Sequence, residues 1–185
     1  LNDAVNADDE CPFCFIEREV EQDLLDFALG SGSSYMESDV REATDKAGFC
    51  REHFKKMFDY GNTLGNGWIL KTHYAKMRGE MKEQFAKFAP TKSSFMGKLK
   101  KNTERTNPIG IWAQEKEKSC YICSRFADTY DRYMDTFFFM YKKDEDFRRR
   151  IRSGKGFCLH HFGDLCEYGE SRLSDKEKKE FYPAM

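Results

Sequence analysis

Eight residues in this chain have the types and spacing of metal ligands. Cys11 and Cys14, and again Cys120 and Cys123, stand three residues apart, while Cys50 with His53 and Cys158 with His161 pair a thiol and an imidazole at the same spacing. A C-x2-C or C-x2-H pair at a helix start lets two donors from one turn reach the same ion, and two such pairs complete the tetrahedron of a structural zinc site. Free N–H groups and the positive end of the helix dipole at such a start also favour thiolates.

The pairs recur in register. With Cys11 laid on Cys120, Cys14 falls on Cys123, and one gap then sets Gly48, Phe49, Cys50, His53, Phe54, Tyr60 and Gly61 on Gly156, Phe157, Cys158, His161, Phe162, Tyr168 and Gly169. Nine such identities come to on the order of one in 10^11 by chance at background usage. The chain therefore reads as a duplication, each copy having the form C-x2-C, then 35 or 34 residues, then C-x2-H. The simplest closure lies within each copy: Cys11, Cys14, Cys50 and His53 around one ion, Cys120, Cys123, Cys158 and His161 around another. Two Zn2+ per chain are expected on that basis, with an iron–sulfur cluster as the rival for the same ligands.

The elements that must position these donors read as helices. Phe13, Ile16, Val20, Leu24 and Phe27 recur at steps of three and four up to Gly30, and Ile122, Phe126, Tyr130, Tyr133, Phe137 and Tyr141 do the same in the second copy. A shorter polar segment and return helix follow, then a helix that opens near Cys50 or Cys158 and closes at Gly61 or Gly169. Between the copies, Trp68, Leu70, Tyr74, Met77, Met81 and Phe85 mark a long amphipathic helix over 64–89 that ends at Pro90. A basic connector of about twenty residues follows, with Trp112 docking it onto the body. No stretch alternates with period two, so an all-α fold is expected, divided as 1–62, 63–118 and 119–185.

Composition narrows the function classes. The chain has 185 residues, 34% charged and 15% aromatic, with a formal net charge of −1. That balance gives no global pull toward nucleic acid or an acidic membrane surface, although basic runs around Lys98 to Arg105 and Arg148 to Lys155 keep local contact with phosphates open. No segment reaches the length of a membrane span, and the first ten residues lack an export signal, so a cytoplasmic setting is expected. There, close cysteine spacings read as metal or redox sites rather than structural disulfides. Cys166 aligns with Phe58 and reads as a small buried hydrophobe; His160 aligns with Glu52 as a surface neighbour of a ligand; His73 reads as core edge or surface.

Through CPFC, GFCREHF, CYIC and GFCLHHF the chain resembles a family of uncharacterised bacterial proteins with duplicated C-P-x-C and G-F-C-x-x-H modules. Members are sometimes labelled ABC-transporter substrate-binding proteins, whose two-lobed architecture needs an alternation of strands and helices that this chain lacks. The resemblance implies no established activity. It also implies a further helix after the second module, which LSDKEKKEFYPAM begins with Ser174 as N-cap. The functional expectation is a zinc-stabilised helical scaffold, not an enzyme, that binds another protein or itself through the 64–89 helix; a thiol-based redox or metal sensor and a nucleic-acid binder are the alternatives.

Overall fold

The computed structural model describes residues 1–32, 34–89 and 107–185. Among them every regular element is helical: α1 Asn2–Asn6, α2 Pro12–Leu29, α3 Ser38–Ala47, α4 Arg51–Tyr60, α5 Thr63–Lys87, α6 Pro108–Lys118, α7 Tyr121–Lys143, α8 Glu145–Ser153, α9 Leu159–Arg172 and α10 Asp175–Phe181, with short 3₁₀ turns at Ser34–Met36 and Tyr182–Ala184. The order α2, α3, α4 recurs as α7, α8, α9. Pro90 and the basic connector, including Lys98 to Arg105, lie outside the described residues.

Two compact units emerge, and their membership crosses the expected boundaries: Leu1–Leu24 with Arg125–Met185, and Leu25–Ser124. The division falls inside α2 and α7. In the first unit Phe13, Ile16 and Val20 of α2 are buried with Met134, Phe137, Phe138, Phe147, Leu165 and Phe181. Rings dominate this core. Phe137 meets Phe13, Phe147 and Phe181 with centroids 5.5, 5.7 and 6.3 Å apart, mostly edge-on, the geometry that aromatic quadrupoles prefer. Each fully buried Phe side chain contributes about 1.5–3 kcal/mol of transfer free energy. The unit is trimmed by Arg150, which donates to Asn2 and Asn6 of α1, and by a capping box in which Ser174 and Glu177 satisfy each other's N–H groups at the start of α10.

In the second unit α2 buries Leu25, Ala28 and Leu29, while Phe27, expected on the apolar stripe, is 48% exposed. The buried stripe moves off Phe27 because Leu25 and Ala28 take the inward positions in this last stretch of α2. Asn62 caps α5 by accepting from Gly65 N, and its amide donates to the Leu29 carbonyl, joining the end of α2 to the start of α5. α3 packs along α5, with Thr72 Oγ1 on Asp45 and His73 Nδ1 2.9 Å from the Asp45 carbonyl. His73 is thus a buried, hydrogen-bonded packing residue. Trp112 on α6 is half-buried, and Lys116 pairs with Glu80 of α5.

Two helix readings change. α4 closes at Gly61 in the left-handed conformation, φ +86°, as expected, but α9 runs past Gly169 to Arg172. Gly169 serves close approach instead: a Cβ there would stand 3.2 Å from the Tyr182 hydroxyl. On α5 the face turned inward is Gly65, Ile69 and His73, so Trp68, Tyr74, Met81 and Phe85 of the expected apolar stripe are exposed and only Leu70 and Met77 are half-buried.

Candidate metal centres

Four helix starts present the donors. Cys50 and Cys158 are the N-cap residues of α4 and α9, and Cys11 and Cys120 immediately precede α2 and α7. In each case the second donor sits three residues on, in the first turn, so both side chains project from the same helix end. The Cys123 amide donates to Cys120 Sγ at 3.4 Å, a use of an otherwise orphan N–H.

Positive-φ glycines set the approach to α4 and α9. Gly48 ends α3 at φ +64° and Gly156 has φ +84°, conformations that L side chains rarely adopt. The following phenylalanines then turn inward. Phe49 packs on Tyr121 with centroids 6.3 Å apart, and Phe157 packs on Phe13 at 6.0 Å. The Gly48 carbonyl also accepts from Tyr121 N at 2.8 Å. Each G-F-C corner is therefore fastened to the helix start that carries the other copy's C-x2-C.

The donors follow the same exchange. Cys11, Cys14, Cys158 and His161 converge in the first unit, and Cys50, His53, Cys120 and Cys123 in the second. The expected closure of Cys11 and Cys14 with Cys50 and His53, and of Cys120 and Cys123 with Cys158 and His161, is corrected by this arrangement. The ligand types are the same either way, which is why spacing alone does not distinguish the two pairings.

The dimensions suit one small ion in each cluster. Zinc with bonds of about 2.3 Å to sulfur and about 2.0 Å to nitrogen gives tetrahedral edges of about 3.8 Å between sulfurs and about 3.5 Å between sulfur and nitrogen. In the first cluster Cys14 and Cys158 Sγ are 3.7 Å apart, and His161 Nδ1 lies 3.4, 3.5 and 3.1 Å from Cys11, Cys14 and Cys158. In the second, Cys50 and Cys123 Sγ are 3.9 Å apart, and His53 Nδ1 lies 3.1, 3.3 and 3.4 Å from Cys50, Cys120 and Cys123. All seven cysteines are free thiols.

Crowding governs the electrostatics. Hydrogen bonding to Cys120 raises His53 to about 9, against the opposing effect of burial. Burial works to raise Cys120 as well, but hydrogen bonds from His53 and from the Cys123 and Cys50 backbone outweigh it and bring the thiol down to about 6. Burial and the neighbouring Cys120 push Cys123 up to about 12; burial and Cys158 do the same to Cys14. Thiols this close resist joint ionisation, a conflict that a divalent cation removes.

The profile of a family of unknown function, DUF6062, matches residues 1–185. The chain belongs to that family. No curated protein and no solved structure matches it. Beside the candidate donors of this DUF6062 chain stand further titratable residues. Cys166 is half-buried, with its thiol raised by burial. His160 is exposed and stands 3.7 Å from Asp164, which accepts from the buried Tyr130 hydroxyl at 2.8 Å. Glu17, which lies outside the C-x2-C and C-x2-H pairs, reaches within 3.2 Å of His161 Nε2. Its position three residues after Cys14 was the available signal, since i and i+3 share a helix face.

The basic run at Arg148 to Lys155 lines a cavity of about 700 Å³ through Arg148, Arg149 and Arg152, together with Glu145 and Asp146. Arg149 and Arg150 both pair with Asp146, and Arg148 donates to the Tyr141 and Lys142 carbonyls at the end of α7. These guanidiniums are engaged within the fold. Among the described residues no helix is long and apolar enough to cross a membrane.

Proposed function

We propose that this protein is a non-catalytic helical scaffold held by two zinc ions, one in each Cys3His cluster. The observation that carries the reading is the pair of four-donor clusters with the edge lengths of a single coordination tetrahedron. A catalytic zinc keeps a position for water, whereas three thiolates and an imidazole fill all four. Sulfurs bound to separate irons of a cluster stand farther apart than the edge of one tetrahedron, so the 3.7 and 3.9 Å separations favour a mononuclear ion. Zinc is the natural occupant of a tetrahedral sulfur and imidazole site.

The scaffold's partner surface, in this reading, is the outer face of α5. Tyr74 is 53% and Phe85 59% exposed, with Met81 on the same stripe of α5 and Phe88 at its C-cap, while Trp68 on the flank of the helix lies under Arg41 and Lys71. An exposed apolar face of this kind fits another protein or a second copy of the chain.

Elemental analysis of protein purified without added metal, with a visible spectrum, tests the metal assignment. Two zinc per chain and no colour are expected; iron with visible absorbance, or no metal at all, refutes it. A thiol-based sensor is the second reading, favoured by the solvent exposure of Cys123 in the second cluster. Peroxide that ejects zinc reversibly and changes the protein's shape would select it over a static scaffold.

A further inference from the structure

The first cluster has a carboxylate behind its imidazole. His161 is 1% exposed and turns Nδ1 toward three sulfurs, so Nε2 carries the proton when Nδ1 binds an ion. That Nε2 is fully buried and meets no well-aligned acceptor. Glu17 Oε1 lies 3.2 Å away, close but off the N–H direction, on a side chain that is 33% exposed and so has room to rotate into line. Phe13 stacks on the His161 ring with centroids 5.7 Å apart, which restricts the imidazole. In the repeat register the counterpart of Glu17 is Phe126, a side chain that cannot accept this hydrogen bond.

We infer that Glu17 is a positioning residue for the Cys11, Cys14, Cys158 and His161 centre, accepting from His161 Nε2 so that the imidazole is held in its ligating tautomer and donates more strongly to the metal. The inference rests on the metal reading above. A carboxylate behind a ligating histidine acts in this way generally, and its removal costs 10- to 100-fold in metal affinity. Glu17 also groups with His160 and His161, so the same atoms offer a competing role as ligands of a separate ion.

Competition of the full chain against a chromophoric zinc chelator separates these outcomes, using wild type, Glu17→Ala and Glu17→Gln, with 15N-histidine NMR of the zinc-loaded forms. Glu17→Ala is expected to weaken one of the two affinities about 10- to 100-fold and leave the other unchanged. Glu17→Gln, which keeps an acceptor oxygen, should recover part of that loss. The His161 Nε2 proton should exchange with water faster in Glu17→Ala than in wild type. Unchanged affinities, equal losses at both centres, or a Gln variant no better than Ala would overturn the positioning role. A third ion in wild type that disappears in Glu17→Ala and in His160→Ala would overturn it too, in favour of direct ligation. Wild type that binds no zinc would instead refute the metal reading itself.

Discussion

Replacing Cys158 by Ser tests the exchange of donors between the two copies, because the two pairings predict damage at different cysteines. Cys14 and Cys158 are separated by 144 residues in sequence, so an ion that joins them closes a very long loop. By the chain-entropy relation used for cross-links, closing a loop of that size restricts the unfolded chain by about 5 kcal/mol, only about 0.6 kcal/mol more than one the length of the Cys50 to Cys123 separation. Losing the longer clamp should lower the midpoint of thermal unfolding by about 10–20 °C in a chain of this size. Alkylation of the folded variant followed by peptide mass spectrometry identifies the orphaned thiols. Cys11 and Cys14 should become reactive while Cys50, Cys120 and Cys123 stay protected, and bound zinc should fall from two per chain to one. Reactivity at Cys120 and Cys123, with Cys11 and Cys14 still protected, would refute the arrangement and restore closure within each copy.

Four further outcomes follow from the packing. Cys166→Ala should lower stability by about 1 kcal/mol or less in urea denaturation, since Cys166 is only half-buried; a loss comparable with that of Cys158→Ser would give it a larger role. Gly48→Ala should be more damaging than Gly156→Ala: both positions have positive φ, but a Cβ on Gly48 would stand 2.5 Å from the His73 ring, while one on Gly156 meets nothing closer than 3.8 Å. Equal effects in denaturant would show that the ring gives way. Ser174→Ala should cost about 1 kcal/mol through loss of the α10 cap. Hydrogen bonding from the Ser174 backbone and hydroxyl lowers the Glu177 carboxyl below its ordinary value of 4.5, so its stabilisation is complete above that pH and fades as pH falls through the lower folded value; wild-type and Glu177→Gln stabilities should converge in that acid range.

Much of this molecule is legible in the residues. Pro12 and Gly30 bracket the helix over Pro12–Leu29, Gly61 marks the end of α4 and Ser174 the start of α10, because caps act locally and leave a local signature. All eight donors also fall into clusters. What escaped was partnership. Cys50 meets Cys120 and Cys123 rather than Cys11 and Cys14, and a repeat offers every donor pair two equivalent mates, so only tertiary contacts such as Gly48 to Tyr121 break the tie. The inward face of α5 is not legible for a related reason. Its small and polar residues, Gly65 and His73, face α3 and the end of α2, and a search for large apolar side chains overlooks contacts made by close backbone approach.

The crossed arrangement of donors also imposes an order on biosynthesis. Cys50 and His53 must wait for Cys120 and Cys123 before their cluster can close, and Cys11 and Cys14, translated before the other six donors, must wait until Cys158 and His161 have left the ribosome. At elongation rates of about 5–20 residues per second, the earliest thiols remain without their partners for several seconds or longer. The cluster in the second unit has all its donors first, so the nascent chain passes through a stage in which Cys50, His53, Cys120 and Cys123 can assemble while Cys11 and Cys14 are still open to oxidation, to stray metals or to a chaperone.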